Sequence, residues 1–312
     1  MVDLDPARDR VKVHCVIINW NGGEANHACI QSVLAAGISE ANVHFVDNGS
    51  TDGSVESVED RFPRLALQRT GENLGFAAAA NIGIAAALEG GADGVLFMNN
   101  DAVLDPCALK AFVEAAERDP SAGLFGPRIY MDARRERLWC CGMDLGRGPN
   151  LVRLRGYGQR SSPRFETARE VDALTGCGLF VLRRVFEVAG AFDPAWFVYV
   201  EDADFSARAR AQGFRPRYVP GAIVEHAGAG STGGGYGRAR KYLTAHGNAL
   251  YLRRHGTPRL WLNFVFWDVL LWPVLLCLEV LRGRAGAVWW KGRGLWDGLR
   301  GRPANLRALG LR

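Results

Sequence analysis

Residues 95–106 read VLFMNNDAVLDP. The four apolar residues Val95 to Met98 look like a buried strand, and they run straight into Asn99, Asn100 and Asp101. Farther on, Asp105 and Pro106 mark a helix start, because Asp caps free N–H groups and Pro suits the first helical position. The spacing of Ala108, Leu109, Phe112, Val113 and Ala116 then continues as a helix. A cap explains Asp105. It does not explain two amides and a carboxylate placed earlier, at the carboxyl end of a strand, where open α/β sheets bind ligands.

Outward from this stretch, strands and helices alternate. Val11–Ile18, Val43–Val46, Leu65–Gln68 and Val95–Met98 read as strands. Glu24–Ala36, Ser54–Arg61 and Phe76–Leu88 read as the helices between them. That alternation predicts βαβ units and a parallel sheet. The second half is mixed. Leu124–Tyr130, Leu179–Leu182, Arg217–Val219 and Ala222–Val224 are expected strands, and Arg183–Ala189 and Asp202–Gln212 expected helices. Residues 228–237, with six glycines in ten, are expected to be a loop.

Composition bounds the rest. The chain has 312 residues, 48% of them hydrophobic and 23% charged, enough for a sizeable core. Seven cysteines, an odd number with no CxxC pair, fit neither a disulfide framework nor a zinc site and point to a reducing compartment. The charged N-terminus has no apolar stretch of the kind a secretory signal needs. From Thr257 onward, nine Lys or Arg stand against three Asp or Glu, a local balance of +6, so the preceding residues sum to −1. Six of the nine tryptophans share this segment, a mixture that suits a membrane surface or nucleic acid.

Four polar clusters follow strand ends: Asn19 to Asn21, Asp47 to Asp52, Asn73 with Gly75 and Asn81, and Asn99 to Asp101. One such cluster is ordinarily a turn. Four along one edge of a parallel sheet predict a shared ligand site. A GxGxxG match at residues 228–233 is set aside, because the stretch is too glycine-rich and lacks the acidic residue that closes a dinucleotide fold. An NAD-dependent oxidoreductase therefore has no support.

The ordered set VIINWNG, VDNGSTDGS, NLGFAAAANIGI and FMNNDAVLDP resembles the family-2 glycosyltransferases of GT-A fold, and most of all their bacterial rhamnosyltransferase-like branch. The likeness covers residues 11–256. It implies an α/β fold with a mixed, mainly parallel sheet flanked by helices. Residues 1–10 would be a tail, and residues 257–312 apolar and basic helices that associate with a membrane.

The implied reaction is inverting transfer of a sugar, rhamnose foremost, from a dTDP- or UDP-linked donor to a lipid-linked or polysaccharide acceptor, with Mn2+ or Mg2+. The resemblance assigns Asp101 to the metal and Asp47 to the N3–H of a pyrimidine base. Asn99 would reach the ribose, and Asn19, Asn21, Asn73, Gly75, Asn81 and Asn100 would line the pocket. Where relatives carry a DxD-like motif, this chain has Asn-Asn-Asp, so His226 is the expected second metal ligand. In FVYVEDADF, the resemblance makes Asp202 the general base with Glu201 beside it, although acids in a first turn also simply complement a helix dipole.

The alternative is a non-catalytic nucleotide-sugar or glycan-binding module, favoured by the missing DxD carboxylate. Nucleic acid is not an expected partner, and the sequence sets no oligomeric state. The implied location is cytoplasmic, peripheral on the inner face of the plasma membrane. Residues 260–281 are almost wholly apolar, but Asp268 and Pro273 argue against a continuous span.

Overall fold

The computed structural model describes residues 11–148, 151–226, 237–283 and 285–311. The expected tail at 1–10, most of the glycine-rich stretch at 228–237, and Arg284 of the basic segment lie outside the described residues.

The first half folds as its apolar runs require. Strands β1 (Val13–Asn19), β2 (Val43–Asp47), β3 (Ala66–Arg69) and β4 (Gly94–Asn99) pair in parallel, in the order β4-β1-β2-β3. Helices α1 (Ala25–Ala35), α2 (Ser54–Arg61) and α3 (Phe76–Glu89) make the crossovers. Almost every residue of β1 is buried, as in a parallel strand covered on both faces. Alternate residues serve separate cores: Cys15, Ile17, Leu96 and Met98 on one face, Val16, Val95 and Phe97 on the other.

The second half departs from the sequence reading at two places. Residues directly after Asp101 form a short strand, β5 (Ala102–Leu104), and the next helix, α4 (Ala108–Arg118), begins later than Pro106 implied. Asp105 still ends the turn: its carboxylate accepts the Cys107 N–H at 2.9 Å and pairs with Arg135 at 2.8 Å.

Strand β6 (Ala122–Tyr130) leads to β7 (Leu138–Cys140), β8 (Met143–Leu145), β9 (Val152–Leu154), β10 (Arg169–Glu170) and β11 (Leu179–Leu182), then to α5 (Arg183–Ala189) and α6 (Glu201–Ala211). The two short strands expected at 217–224 are one strand, β12 (Arg215–His226). Its register shifts between Val219 and Ile223, across Pro220 and Gly221, so the break seen in the sequence is an irregularity inside a continuous strand. β11 lies antiparallel between β4 and β6, and β12 pairs with β5, β6 and β10. The result is a mixed, mainly parallel sheet flanked by helices, as expected.

The C-terminal region is integrated unevenly. Helix α7 (Arg238–His255) is tied to α6 by His255 and Asp204 at 2.7 Å. Helices α8 (Pro258–Phe264), α9 (Trp272–Leu281) and α10 (Ala285–Leu299) follow, with a π-helical turn at 265–270, and Pro273 lies in the first turn of α9. A Cβ at Gly294 or Gly298 would lie 2.3 and 2.5 Å from the carbonyls of Tyr242 and His246, so these glycines let α10 press onto the α7 backbone. Buried Asp297 accepts from Tyr242 and Arg293 at 3.0 and 2.9 Å. The division expected at residue 257 therefore runs through a packed interface: a chain ended at Gly256 would uncover α7. By contrast, Leu262, Leu270, Val274 and Leu281 are 56–84% exposed. Among the described residues, no helix is long and apolar enough to cross a membrane.

Candidate active site

The carboxyl ends of β1, β2 and β4 meet on one edge. Asn19 is in register with Asp47, and Ile18 with Asn99. Asn19 is fully buried and occupies the centre. Its amide nitrogen reaches Asp47, Ser50 and Ser54 at 3.0–3.3 Å, and its oxygen accepts from Gly22 N–H and Asn100, both at 3.1 Å. It therefore sets the shape of three loops. Asn21, exposed and at φ 54°, accepts the Thr51 N–H at 2.8 Å and fixes the rim. Asp47 is buried and accepts from the Ser50 N–H, at 3.2 and 3.4 Å to its two oxygens, and from Asn19 at 3.3 Å. Asn48, which the sequence reading assigned no role, holds the next loop: it donates to Asn73 at 3.1 Å and accepts from Leu74 N–H at 2.9 Å.

That loop joins the two halves of the site. Asn73 accepts the Gly75 N–H at 2.9 Å, and the Phe76 N–H donates to the Phe197 carbonyl at 2.6 Å. Gly75 has φ +86°, and a Cβ there would meet the Phe197 carbonyl oxygen at 2.4 Å. Gly75→Ala should therefore cost about 2–4 kcal/mol through left-handed strain and a backbone clash, read as a lower midpoint in chemical denaturation. An unchanged midpoint would show that the contact is slack. Asn81 differs from expectation. Both ends of its amide are taken by the Phe192 backbone, at 2.8 and 3.0 Å, so it clasps α3 to the chain ahead of α6 and offers nothing to a ligand.

Strand β12 ends beside β5, with His226 in register with Ala102. This pairing brings His226 Nε2 to 3.1 Å from Asp101 Oδ1, with Asn99 Nδ2 at 3.4 Å from the same nitrogen. Trp139 packs edge-on against the imidazole, and Arg135 steadies the junction by bridging Asp105 and Glu225. Burial opposes ionisation of Asp101, but the hydrogen bond and charge of His226 outweigh it and hold the carboxyl below the usual range.

The residues fit a divalent cation. Two adjacent ligands of an octahedral ion with ~2.1 Å bonds stand roughly 3 Å apart, close to the observed 3.1 Å. A carboxylate oxygen and an imidazole suit Mn2+ or Mg2+. Among the described residues no three His, Cys, Asp or Glu side chains gather as a metal cage. A two-ligand site is what a cation shared with substrate phosphates needs.

The acidic segment opens α6. Tyr199 and Val200 both have positive φ, 70° and 74°, a strained turn that aims the helix start. Asp202 accepts the Gly176 N–H at 3.2 Å and the Ala203 N–H at 2.8 Å. Burial nevertheless raises its pKa to about 6, against those bonds and one from Thr175. Burial, reinforced by the Asp202 charge, raises Glu201 well above the usual carboxylate range. Asp204 is structural: fully buried, it pairs with Arg208 and His255. Trp196 is 1% exposed and belongs to the core. Next to Gly176, the Cys177 thiol is pushed up by burial and by the Asp101 charge, which disfavours a thiolate nucleophile there.

The family model described as glycosyl transferase family 2 matches residues 15–186. N-acetylglucosaminyl-diphospho-decaprenol L-rhamnosyltransferase from two strains of Mycobacterium tuberculosis is 33% identical over 254 residues, 76% of this chain and 82% of the relative. Among solved structures, GalNAc-T7 with UDP, GalNAc and Mn2+ superposes with a TM-score of 0.58 at 14% identity, covering 93% of this chain and 57% of that one. The mannosyltransferase PcManGT from Pyrobaculum calidifontis, in complex with GDP-Man and Mn2+, gives 0.58 at 15% identity, with 93% and 87% covered. At such identities these two likenesses concern the fold.

Proposed function

Because this chain belongs to glycosyltransferase family 2, we propose that it transfers a sugar, L-rhamnose foremost, with inversion, from a dTDP- or UDP-linked donor to a lipid-linked or growing polysaccharide acceptor. The observation that supports this reading is the Asp101–His226 pair, 3.1 Å apart where β12 ends beside β5 at the carboxyl edge of the sheet. The likeness to a rhamnosyltransferase supports the choice of sugar.

Each side chain then has a task. Asp47 accepts the N3–H of the pyrimidine, Asn99 reaches the ribose, and Asn21, Asn73, Gly75 and Asn100 shape the pocket around the nucleotide. Asn19 holds those loops in place. Asp101 and His226 hold a divalent cation, which when bound offsets the charge that develops on the departing diphosphate. Asp202 takes the proton of the acceptor hydroxyl as that oxygen attacks the anomeric carbon. A pKa near 6 leaves it ionised at neutral pH yet more basic than an ordinary aspartate.

Turnover of a donor panel tests the reading. Nucleoside diphosphate should be released from dTDP-rhamnose or a UDP-sugar, faster with acceptor present, and chelation should stop it. Absence of turnover with every pyrimidine donor would reject it. The exposed apolar residues of α8 and α9, with Arg259 on α8 and Arg282 at the end of α9, support peripheral attachment to the inner leaflet of the plasma membrane. Full-length protein should float with anionic liposomes and be partly released by high salt, and Leu270→Ser with Leu281→Ser should reduce flotation severalfold. Equal flotation of variant and parent would place the contact elsewhere.

A further inference from the structure

We infer that the pocket between the β8–β9 hairpin and residues 159–165 binds a phosphate or diphosphate group. It shares no residue with the polar edge formed by the carboxyl ends of β1, β2 and β4, so it is a second anion site.

Strand alternation builds the pocket. Met143, Leu145, Val152 and Leu154 pack on the core, so Asp144 and Arg153, opposite each other in register, take the other face, and Arg155 keeps to it two residues on. Across from them, the turn Pro163–Phe165 supplies Arg164 and the buried ring of Phe165. The guanidinium carbons of Arg155 and Arg164 lie 5.4 and 4.6 Å from the centre of that ring. With Gln159 these residues enclose about 210 Å³.

The charges in it do not balance. Three arginines line the pocket with one carboxylate, Asp144, which is itself engaged by Arg147 at 3.8 Å. Among the described residues, none of Arg153, Arg155 and Arg164 pairs with a carboxylate, and Arg164 donates to the neutral amide of Gln159. Arg155 is half-buried, and its Nη1 is out of water with no acceptor. Gathering guanidiniums with so little counter-charge, and stripping one of water, costs free energy that a bound anion recovers. A dianion brings three positive charges and one negative to neutrality, whereas a monoanionic carboxylate leaves an excess. Planar guanidiniums also match phosphate oxygens in pairs. The volume lies below the ~300–1,000 Å³ of clefts that hold drug-sized ligands, so it suits a phosphate group and not a whole nucleotide sugar. Such a group has two sources, one dissolved and one borne on a lipid. The second is raised by the hairpin turn, which is fastened to α8: Gly148 N–H donates to Asn263 at 3.2 Å, Asn263 donates back at 3.0 Å, and Leu260 packs where Gly146 has no side chain. Helix α8 also carries exposed Leu262.

The test titrates full-length protein with inorganic phosphate and with pyrophosphate by calorimetry, free of divalent cations so that the Asp101–His226 pair recruits no anion through a metal. Binding should saturate, and sodium chloride at matched ionic strength should give no such heat. Arg155→Met keeps an unbranched side chain against Phe165, and Arg153→Gln changes an exposed side chain with no partner among the described residues. Each should weaken binding about tenfold or more, the loss expected of one charge-assisted hydrogen bond, and neither should lower the melting temperature of the anion-free protein. A second arm uses vesicles of phosphatidic acid, a phosphate monoester, against phosphatidylglycerol, a diester, diluted to equal surface charge. A preference for phosphatidic acid that Arg155→Met abolishes assigns the site to a lipid-borne group. Variant-sensitive binding of pyrophosphate without that preference assigns it to a dissolved one. Equal affinities in parent and both variants for the soluble anions and the vesicles alike, or stabilisation by chloride equal to that by pyrophosphate, would overturn the inference.

Discussion

Asp202→Asn should reduce sugar transfer about 10²–10⁴-fold, the range a general base supplies, while the affinity for the nucleotide-sugar donor stays within twofold. The amide keeps the shape but has a single acceptor oxygen, so it can keep only one of the bonds from the Gly176 N–H at 3.2 Å and the Ala203 N–H at 2.8 Å. The parent rate should fall as pH drops through about 6, where burial has placed this carboxyl. The stability consequence has the opposite direction to the usual carboxylate. A folded pKa raised above the unfolded value means that the folded state binds the proton more tightly, so the contribution of this group to stability is fully present below about pH 4 and is lost as pH rises through 6. Asp202→Asn should therefore melt higher than the parent at pH 7, by an amount on the order of 1–3 kcal/mol. A variant that loses donor affinity in step with rate, or that melts lower, would give Asp202 a structural role instead.

Asp101→Asn should cost at least ~100-fold in cation-dependent transfer, because several kcal/mol of charge stabilisation would be lost with the carboxylate. It should also weaken Mn2+ binding about tenfold or more in the presence of UDP, measured by titration without turnover. The fold should persist, since Asp101 lies at the sheet edge and its side chain is 21% exposed. His226→Ala should reproduce the loss of Mn2+ affinity if the two share one ion. Undiminished Mn2+ affinity in both variants would remove the cation from this pair. Lowering the pH should disrupt the pair as well: Asp101 is held below the usual carboxylate range, so its contribution is present above that range and is lost as pH falls through its depressed value.

Much of the catalytic half was legible along the chain because its information is local. Apolar runs of strand length, Gly and Asp at the turns, and alanine-rich α3 each specify their own element. Polar residues after β1, β2 and β4 share an edge simply because parallel strands put their carboxyl ends together. Asn48 was visible in the same cluster and was passed over only because its partner, the Asn73 loop, is 25 residues away. Asn81 misled for the same reason. It sits among the motif residues in sequence, but its hydrogen-bond partner is the Phe192 backbone, 111 residues distant.

By itself, the sequence determined the parallel βαβ half, the edge on which a ligand would bind, the pairing of Asp101 with His226 as candidate ligands, and the acidic start of α6. Those follow from periodicity, from turn chemistry and from resemblance. Only the tertiary structure decided how β5 joins β12, which of three adjacent acids is free to act, and which part of the C-terminal segment is covered. Asp202 and Asp204 are chemically alike and two residues apart. What separates them is that Arg208 and His255 neutralise one in the core, while the other faces backbone N–H groups at the site. Likewise α9 and α10 are both apolar in sequence, and α10 is the one that packs on α7, because Gly294 and Gly298 let two backbones approach. Burial and charge pairing depend on neighbours brought from far along the chain, and no local pattern encodes them.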